Sequence, residues 1–581
     1  MLEVLNLSYL PTKTRVSDGP VLDALCLAVP TGHLLGVIGA PGSGKSTLIH
    51  LLAGLESPTV GEIRFQGHDT ALMPIHPNSL GLVAAHDEGL ISVLTVRESM
   101  MSALILRVAG QDNETRVDKV SHLLVGMGLE TVASHRVNTL SLPQRRRLKL
   151  ALALPSDAPL VLCDEFTDGL DVKSEQEMAA LLKYVVADLP GRIVVHASQS
   201  LANLSTYDSV LILHEGRICF HGPARAVAHY FSITNVEELY PRLAKRPAER
   251  WGESWSRHRD QYYEAFKLGD LGKPFEEPTE AEVEAHDETE ARRETNTASK
   301  PEIEYPVPSP LPSIISQIGH LIRRRWTLWR RTQREWLEHL ALLLVCPLTA
   351  MLLVAPNTGY LSELQSQNHS PEVLWPAAYT CAMIVFVQVL LLMIVSLRVA
   401  APEIARDRLV FERERSAGLR GMAYLVAKLG FLIPLMVAHG AALALLVDVM
   451  GGHLPGAGAA RIMLLVLTGV AFSSLCLGIS ATSRSADRAQ SHAWKLWAAN
   501  VILAGALLGF PRPLGMLIQP FVTSYYGWSG SVDTLASSAV FEPMTKFVRT
   551  WFATPVSAIV WLLVQTVAGI LVAGWGLKKR R

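Results

Sequence analysis

The sequence is poor in cysteine and has no excess of charge of either sign. Its 581 residues include six scattered cysteines, none in a CxxC pair, which argues against a disulfide framework or zinc site and indicates buried apolar thiols. Lysine plus arginine equals aspartate plus glutamate at 53 each, so we do not expect nucleic acid as the main partner. The opening MLEVLNLSYL lacks a long apolar run, so we expect no signal peptide and a cytosolic first domain.

Long apolar runs are confined to one half of the chain. A chain of this length needs more than one hydrophobic core, and residues 1–312 have a soluble composition whereas 338–577 hold apolar runs. Over 1–235, short apolar strands such as LLGVIG alternate with helical patterns, which predicts an α/β domain whose sheet is buried on both faces. Residues 236–312 are rich in carboxylates and then in proline. They predict a polar linker, and a solvated charged helix over part of it is the open alternative.

Residues 313–581 have the pattern of an all-α membrane domain. The basic, tryptophan-rich segment 313–336 predicts a helix at the cytoplasmic interface, with a soluble amphipathic helix as the alternative. Six apolar runs of roughly 20 residues follow, each long enough to cross the bilayer, near 338–355, 374–398, 422–449, 461–482, 495–518 and 554–577. The connections after spans two and four and the KKRR tail are basic. The positive-inside rule therefore puts both ends in the cytoplasm, and we expect a multi-pass protein of the cell (plasma or inner) membrane.

A glycine-rich run near the start of the chain fits the phosphate-loop pattern G-x-x-x-x-G-K-[ST]. It follows the apolar strand LLGVI and precedes the helical run TLIHLLAGL, which is the context that this motif requires. Backbone N–H groups of such a loop surround phosphates at the positive end of a helix. Lys45 is expected to reach the β- and γ-phosphates and Ser46 to ligate Mg²⁺. The predicted nucleotide-binding residues are Gly39, Pro41, Gly42, Ser43, Gly44, Lys45, Ser46 and Thr47.

A second apolar strand, LVLCDE at 160–165, ends in two acids. Asp164 is predicted to hold Mg²⁺, and Glu165 is predicted to polarise the attacking water. A solvated strand end is the alternative interpretation, and the phosphate loop makes it the weaker one. For Tyr9 two interpretations stay open, stacking on the adenine ring or an ordinary core or surface position.

The order of the motifs resembles that of the ATP-binding-cassette (ABC) transporters. The phosphate loop is followed by LTVRES (94–99), LSLPQRRR (140–147), LCDEFTDGLD (162–171) and GRICFHGP (216–223). LTVRE, the triple arginine, FHGPA and LVFERERSAG (409–418) are similar to the G subfamily, the white or pleiotropic-drug-resistance type, which also has its ATP-binding domain first. The resemblance implies ATP and Mg²⁺ as ligands, a second half-transporter and the bilayer as partners, and ATP-driven export of an apolar or amphipathic substrate.

The signature sequence departs from the family pattern. In the family, the LSGGQ of one subunit presents N–H groups to ATP held by the other. Here Ser141 and Gln144 survive, but Leu142 and Pro143 replace the glycines. Proline has no N–H to donate, and leucine adds bulk where close approach is needed.

Two further positions of the family pattern are altered. The Q-loop glutamine falls on His86, with Ala85 as the neighbouring choice, and the H-loop histidine falls on Gln199, with His196 as the alternative. These changes favour the degenerate subunit of a heterodimer over a diverged but self-sufficient homodimer.

A rival hypothesis of another class is a membrane-tethered ATP-binding switch or regulatory subunit that moves no solute. The altered motifs fit it. Six spans, with a fifth interrupted by Gly509, Pro511, Pro513 and Gly515, favour a transport pathway instead. The charged connection 401–418 is then expected to pass the motion of the ATP-binding domain to the spans.

Overall fold

The computed structural model describes residues 1–11, 19–85, 89–265, 308–357, 359, 370–450, 454–507, 509, 511–548 and 550–579. The chain divides into two compact units, Met1–Pro312 with Ser416–Gly418 and Ser313–Arg415 with Leu419–Arg581. The first unit combines strands with helices, and the second is helical. The predicted fold, an α/β domain followed by an all-α domain, is confirmed.

The first unit alternates strands and helices along the chain. Its strands are β1 (Leu2–Tyr9), β2 (Leu22–Val29), β3 (Leu34–Ile38), β4 (Val60–Phe65), β5 (His68–Asp69), β6 (Leu80–Val83), β7 (Leu160–Asp164), β8 (Ile193–Ser198), β9 (Ser209–His214) and β10 (Arg217–Gly222). Its helices are α1 (Lys45–Leu52), α2 (Val96–Arg107), α3 (Asn113–Gly126), α4 (Leu142–Ala153), α5 (Val172–Asp188), α6 (Ala224–Phe231), α7 (Leu239–Leu243) and α8 (Ala248–Ala265).

The described strands of this unit form two sheets. One has the order β2-β1-β4-β5, and its paired strands run antiparallel. The other has the order β10-β9-β3-β8-β7-β6, and its strands from β9 to β6 are parallel. Every residue of β3, β7 and β8 is buried, as expected for apolar strands covered on both faces. Parallel order brings the carboxyl ends of β3, β7 and β8 to one edge of the sheet, where α/β proteins bind ligands.

The segment predicted as a linker is helical in its first part. Over 236–265 the chain forms α7 and α8, and Trp251, Trp255 and Tyr263 of α8 are buried. The Trp255 ring lies 5.2 Å from that of Phe220 on β10. The linker boundary at 236 is therefore wrong for this part, because aromatic side chains supply the apolar surface that orders it. The acidic remainder, 266–307, lies outside the described residues.

The second unit consists of helices. They are α9 (Ile314–Arg331), α10 (Gln333–Val354), α11 (Pro371–Ala400), α12 (Glu403–Arg406), α13 (Arg408–Ser416), α14 (Gly421–Met450), α15 (Gly458–Thr482), α16 (Ala486–Leu503), α17 (Arg512–Ile518), α18 (Thr523–Asp533), α19 (Phe541–Phe547) and α20 (Pro555–Lys578). In the described part of the chain, five helices are long and apolar enough to cross a membrane, and they cover Gln333–Leu353, Pro371–Arg406, Gly421–Val449, Gly458–Thr482 and Pro555–Lys578.

The predicted fifth span, 495–518, is not one continuous helix. Helix α16 ends at Leu503, and α17 begins only at Arg512. Gly505 has a φ of +83°, the left-handed conformation that commonly ends helices. Pro511 then starts the next helix, since proline suits a first turn but not a helix interior. A crossing in this region would be made of two pieces, and the count of six spans stays a prediction.

Candidate functional site

The phosphate loop connects β3 to α1. Gly42 and Gly44 have φ values of +80° and +100°, which side chains rarely tolerate. A Cβ on Gly39 would lie 2.6 Å from the carbonyl oxygen of Leu213 on β9. Glycine is therefore required where the loop turns tightly and packs against its neighbour, and α1 begins at Lys45 with its N–H groups turned towards the loop.

Lys45 is buried within this loop. Its ammonium donates to the carbonyl oxygens of Gly39 at 2.9 Å and Ala40 at 3.1 Å, and it lies 3.8 Å from the Glu165 carboxylate. Burial lowers the pKa of Lys45, while the charges of Glu165, Asp164 and Asp168 oppose that shift. The ammonium is thus a buried cation whose contacts are two backbone carbonyl oxygens and a carboxylate 3.8 Å away. A phosphate can replace such contacts, so Lys45 is suited to binding one.

Ser46 and Asp164 come together beside Lys45. The Ser46 hydroxyl donates to Asp164 Oδ1 at 3.0 Å, which joins α1 to the end of β7. A hydroxyl and a carboxylate are hard oxygen ligands, and Mg²⁺ prefers such ligands together with water and phosphate oxygens. The two residues therefore fit the predicted metal site and would hold Mg²⁺ on a bound nucleotide.

Glu165 follows β7 in a strained conformation. Its φ of +43° is left-handed and uncommon for a residue with a side chain. Its N–H donates to the Ala197 carbonyl on β8 at 2.9 Å, and this bond holds the turn. Strain of this kind persists only where the surroundings fix it, and it clusters at functional sites.

Gln199 lies beside a carboxylate that sequence reasoning missed. Its amide Nε2 donates to Asp168 Oδ1 at 2.7 Å, and both line a cavity of about 190 Å³ with Glu165 and Ser198. His196, the alternative for the H-loop position, is buried on β8 and lies 2.8 Å from the Tyr207 hydroxyl through Nδ1. Burial lowers its pKa to about 4. The structure thus places Gln199, and not His196, at the acidic cluster. The position of Asp168, three residues after Glu165 in FTDGLD, was the available signal.

The signature residues lie at the start of α4. The Ser141 side chain accepts from the Gln144 N–H, and the Gln144 side chain accepts from the Ser141 N–H at 3.0 Å, which makes a capping box. Leu142 begins the helix and Pro143 occupies its first turn. Proline is tolerated there because those N–H groups have no intrahelical partner. Leucine and proline in place of the two glycines of the family pattern therefore keep the helix, and Pro143 removes one N–H donor from its start.

The arginines after the signature have structural partners that the sequence did not reveal. Arg146 is buried and donates to the Ala85 carbonyl and to the Asp168 carbonyl, the latter at 3.2 Å. Lys149 donates to the Ala84 carbonyl. Helix α4 is thereby joined to the chain after β6 and to the segment that carries Asp168.

Two predicted residues gain no support from these contacts. His86 lies outside the described residues. Tyr9 ends β1 half-buried against the core, and its carbonyl accepts from the Val21 N–H at 2.9 Å. Its stacking on adenine stays a prediction.

Family models of known proteins match a part of each unit. Residues 22–168 match the ABC_tran family, described as ABC transporter, and residues 316–510 match the ABC2_membrane family, described as ABC-2 type transporter. The chain joins an ABC-type ATP-binding domain to an ABC-2 type membrane domain. The ABC-type domain carries the phosphate loop, Asp164 and Glu165 within its matched range.

Curated relatives share the ATP-binding part. The chain is 35% identical over 208 residues to the methionine import ATP-binding protein MetN of Brucella abortus (strain 2308), over 35% of this chain and 55% of that protein. It is 33% identical over 241 residues to the ABC transporter ATP-binding/permease protein Rv1747 of Mycobacterium tuberculosis (strain ATCC 25618 / H37Rv), over 41% and 27%. The chain therefore spans 55% of the length of the MetN protein and 27% of that of Rv1747.

A solved structure matches over the same ABC-type part. It is the dimeric post-hydrolysis state of the ATP-binding cassette MJ0796 bound to ADP and Pi, with 26% identity and a TM-score of 0.35. The match covers 39% of this chain and 99% of that one.

Proposed function

We propose that this chain is half of an ATP-driven ABC transporter that exports an apolar or amphipathic substrate. The observation that carries the proposal is the grouping of Lys45, Ser46, Asp164 and Glu165 in a chain that also has five long apolar helices among its described residues. The motifs LTVRE, FHGPA and LVFERERSAG favour the G subfamily, and they also support the outward direction.

In this proposal the ABC-type domain binds ATP and hydrolyses it. Lys45 neutralises charge on the β- and γ-phosphates, and Ser46 with Asp164 would hold the Mg²⁺ that neutralises the rest. Glu165 orients and polarises the attacking water. Gln199, held by Asp168 at 2.7 Å, presents an amide at the same cavity, and an amide can orient a water without titrating near neutral pH.

We further propose that the working unit is a dimer with a second ABC half-transporter. Each ATP would lie between the phosphate loop of one subunit and the signature of the other. The signature of this chain lacks one N–H donor at Pro143, whereas its phosphate loop and Glu165 are intact. A heterodimer with a partner whose signature retains both glycines is therefore favoured, since only one of its two sites would be impaired.

The connection 401–418 is proposed to pass the motion of the ATP-binding domain to the spans. Its Glu403 and Glu414 are buried and form ion pairs with Arg325 and Arg324 of α9, and Glu403 also pairs with Lys428 of α14 at 2.9 Å. Breaking a buried pair commonly costs about 3–5 kcal/mol. The connection is thus joined firmly to two helices and is proposed to move with them. We also propose that both chain ends lie in the cytoplasm, on the positive-inside rule.

The test is to reconstitute the purified chain, alone and with a candidate partner half-transporter, in sealed vesicles and to measure ATP turnover and flux of an amphipathic dye. We expect coupled turnover and flux, both lost in Glu165→Gln. ATP turnover or binding without flux in every combination would instead support the rival, a membrane-tethered switch, which the altered signature also favours.

A further inference from the structure

Helix α9 is strongly basic and contains no acidic residue. Its sequence, IISQIGHLIRRRWTLWRR, has five arginines and no aspartate or glutamate. Four of these arginines fall into two groups, one paired with carboxylates of neighbouring helices and one exposed. The fifth, Arg331, is half-buried and belongs to neither group.

The inward group is fully paired. Arg324 binds both carboxylate oxygens of Glu414, at 2.5 and 2.9 Å. Arg325 binds Glu403 at 2.6 and 3.0 Å and Glu335 at 2.9 Å. Bidentate pairs of this kind satisfy the guanidinium donors, so these two arginines are committed to the packing of the membrane domain.

The outward group has no such partners. Arg323 and Arg330 are exposed, and so is Arg334 in the first turn of α10. Seven residues, about two helical turns, separate Arg323 from Arg330, which places them on the same face of α9. In the described part of the chain, no ion pair or side-chain hydrogen bond involves Arg323, Arg330 or Arg334. We call these three residues the outer basic face.

The surroundings of the outer basic face identify its partner. The first candidate membrane span begins at Gln333, within the same turn as Arg334. The neighbouring tryptophans of α9 pack inward instead, since the Trp326 ring lies 5.0 Å from that of Phe431 on α14. The planar guanidinium binds phosphate oxygens in pairs. A surface with exposed basic groups beside an adjoining apolar span is complementary to an anionic membrane surface.

We propose that the outer basic face binds the phosphates of anionic phospholipids in the membrane leaflet that adjoins α9, and that this lipid supports ATP turnover. The proposal rests on the proposed function for the second clause only. Each arginine near an anionic surface contributes about 1 kcal/mol, or roughly fivefold in affinity. Replacing all three is therefore expected to reduce lipid affinity about a hundredfold.

The experiment compares four forms of the full chain in vesicles of phosphatidylcholine with or without phosphatidylglycerol. They are the unaltered chain, a triple alanine variant (Arg323→Ala, Arg330→Ala, Arg334→Ala), the corresponding triple lysine variant, and a control with two exposed arginines of α8 replaced (Arg250→Ala, Arg257→Ala). Native mass spectrometry counts the phosphatidylglycerol retained after extraction, and ATP turnover is measured in parallel. Unchanged thermal unfolding in detergent shows that a variant is folded.

We expect the unaltered chain and the control to retain phosphatidylglycerol and to turn over ATP faster when it is present. The triple alanine variant should lose both effects, and the triple lysine variant, which keeps the charges, should retain most of each. Equal lipid retention by the alanine variant would overturn the proposal. So would an activity change of the same size in pure phosphatidylcholine, which would indicate another occupant such as the acidic segment 276–294. If the chain alone hydrolyses no ATP, turnover is compared with the partner half-transporter present. Lipid retention decides the binding clause in either case, and turnover that stays absent with the partner contradicts the proposed function only.

Discussion

The altered signature gives the sharpest prediction, which is that restoring its glycines raises ATP turnover. The double change is Leu142→Gly with Pro143→Gly, at the first turn of α4 beyond the cap made by Ser141. It supplies a backbone N–H where Pro143 has none and removes the leucine side chain. The capping box does not involve either side chain, so the start of the helix is expected to remain in place.

The magnitude follows from two opposing effects. One preorganised donor to a transition-state oxyanion contributes about 3 kcal/mol, or roughly a hundredfold in rate. Glycine costs up to about 1 kcal/mol in a helix interior, and less in a first turn whose N–H groups lack helical partners. We therefore expect turnover to rise about a hundredfold while the domain loses at most about 2 kcal/mol of stability.

The assay measures ATP turnover of the purified chain in lipid vesicles. A matched control places glycines in the first turn of α3, Asn113→Gly with Glu114→Gly, which also follows a side-chain cap. It should lose similar stability and gain no activity. Adding Glu165→Gln to the signature variant should abolish the gain. Brisk turnover by the unaltered chain, abolished by Glu165→Gln and not increased by the glycines, would refute the argument for a defective signature.

Four further predictions concern the same domain. Lys45→Ala should abolish tight ATP binding because the phosphates lose their buried cation, and undiminished affinity in a fluorescent-nucleotide titration would contradict the loop assignment. Asp168→Ala should release the Gln199 amide and lower turnover about tenfold, the equivalent of one charge-assisted hydrogen bond, whereas Gln199→His should make turnover depend on pH near 6.5; identical pH profiles would exclude the assigned position. Burial lowers the pKa of His196 to about 4 in the fold, against about 6.5 in the unfolded chain. The domain therefore has its full stability above pH 6.5 and loses stability as pH falls towards 4, because over this range the unfolded chain binds a proton that the folded His196 does not. Calorimetry should show up to about 3 kcal/mol lost over that range, with a smaller slope in His196→Gln.

The sequence by itself determined the domain order and predicted which residues bind the nucleotide. Lys45, Ser46 and Asp164 could be assigned because the motif and its strand–loop–helix context are local, and a glycine-rich loop between an apolar strand and a helix has few other conformations. The apolar spans were recognisable for a similar reason, since crossing hydrocarbon imposes a length and composition on each helix separately.

Only the tertiary structure decided which distant residues meet. Asp168 and Gln199 are 31 positions apart and come together because β7 and β8 are parallel neighbours whose ends share one edge of the sheet. Only the tertiary structure could also choose Gln199 over His196, because Gln199 faces the cavity whereas His196 is buried in the core. Arg324 and Arg325 differ from Arg323 only in the helix face that they occupy, and composition carries no information about which face meets a carboxylate. Which residues pair, which are buried and which charges stay exposed all depend on packing, and packing is set by contacts between segments far apart in the chain.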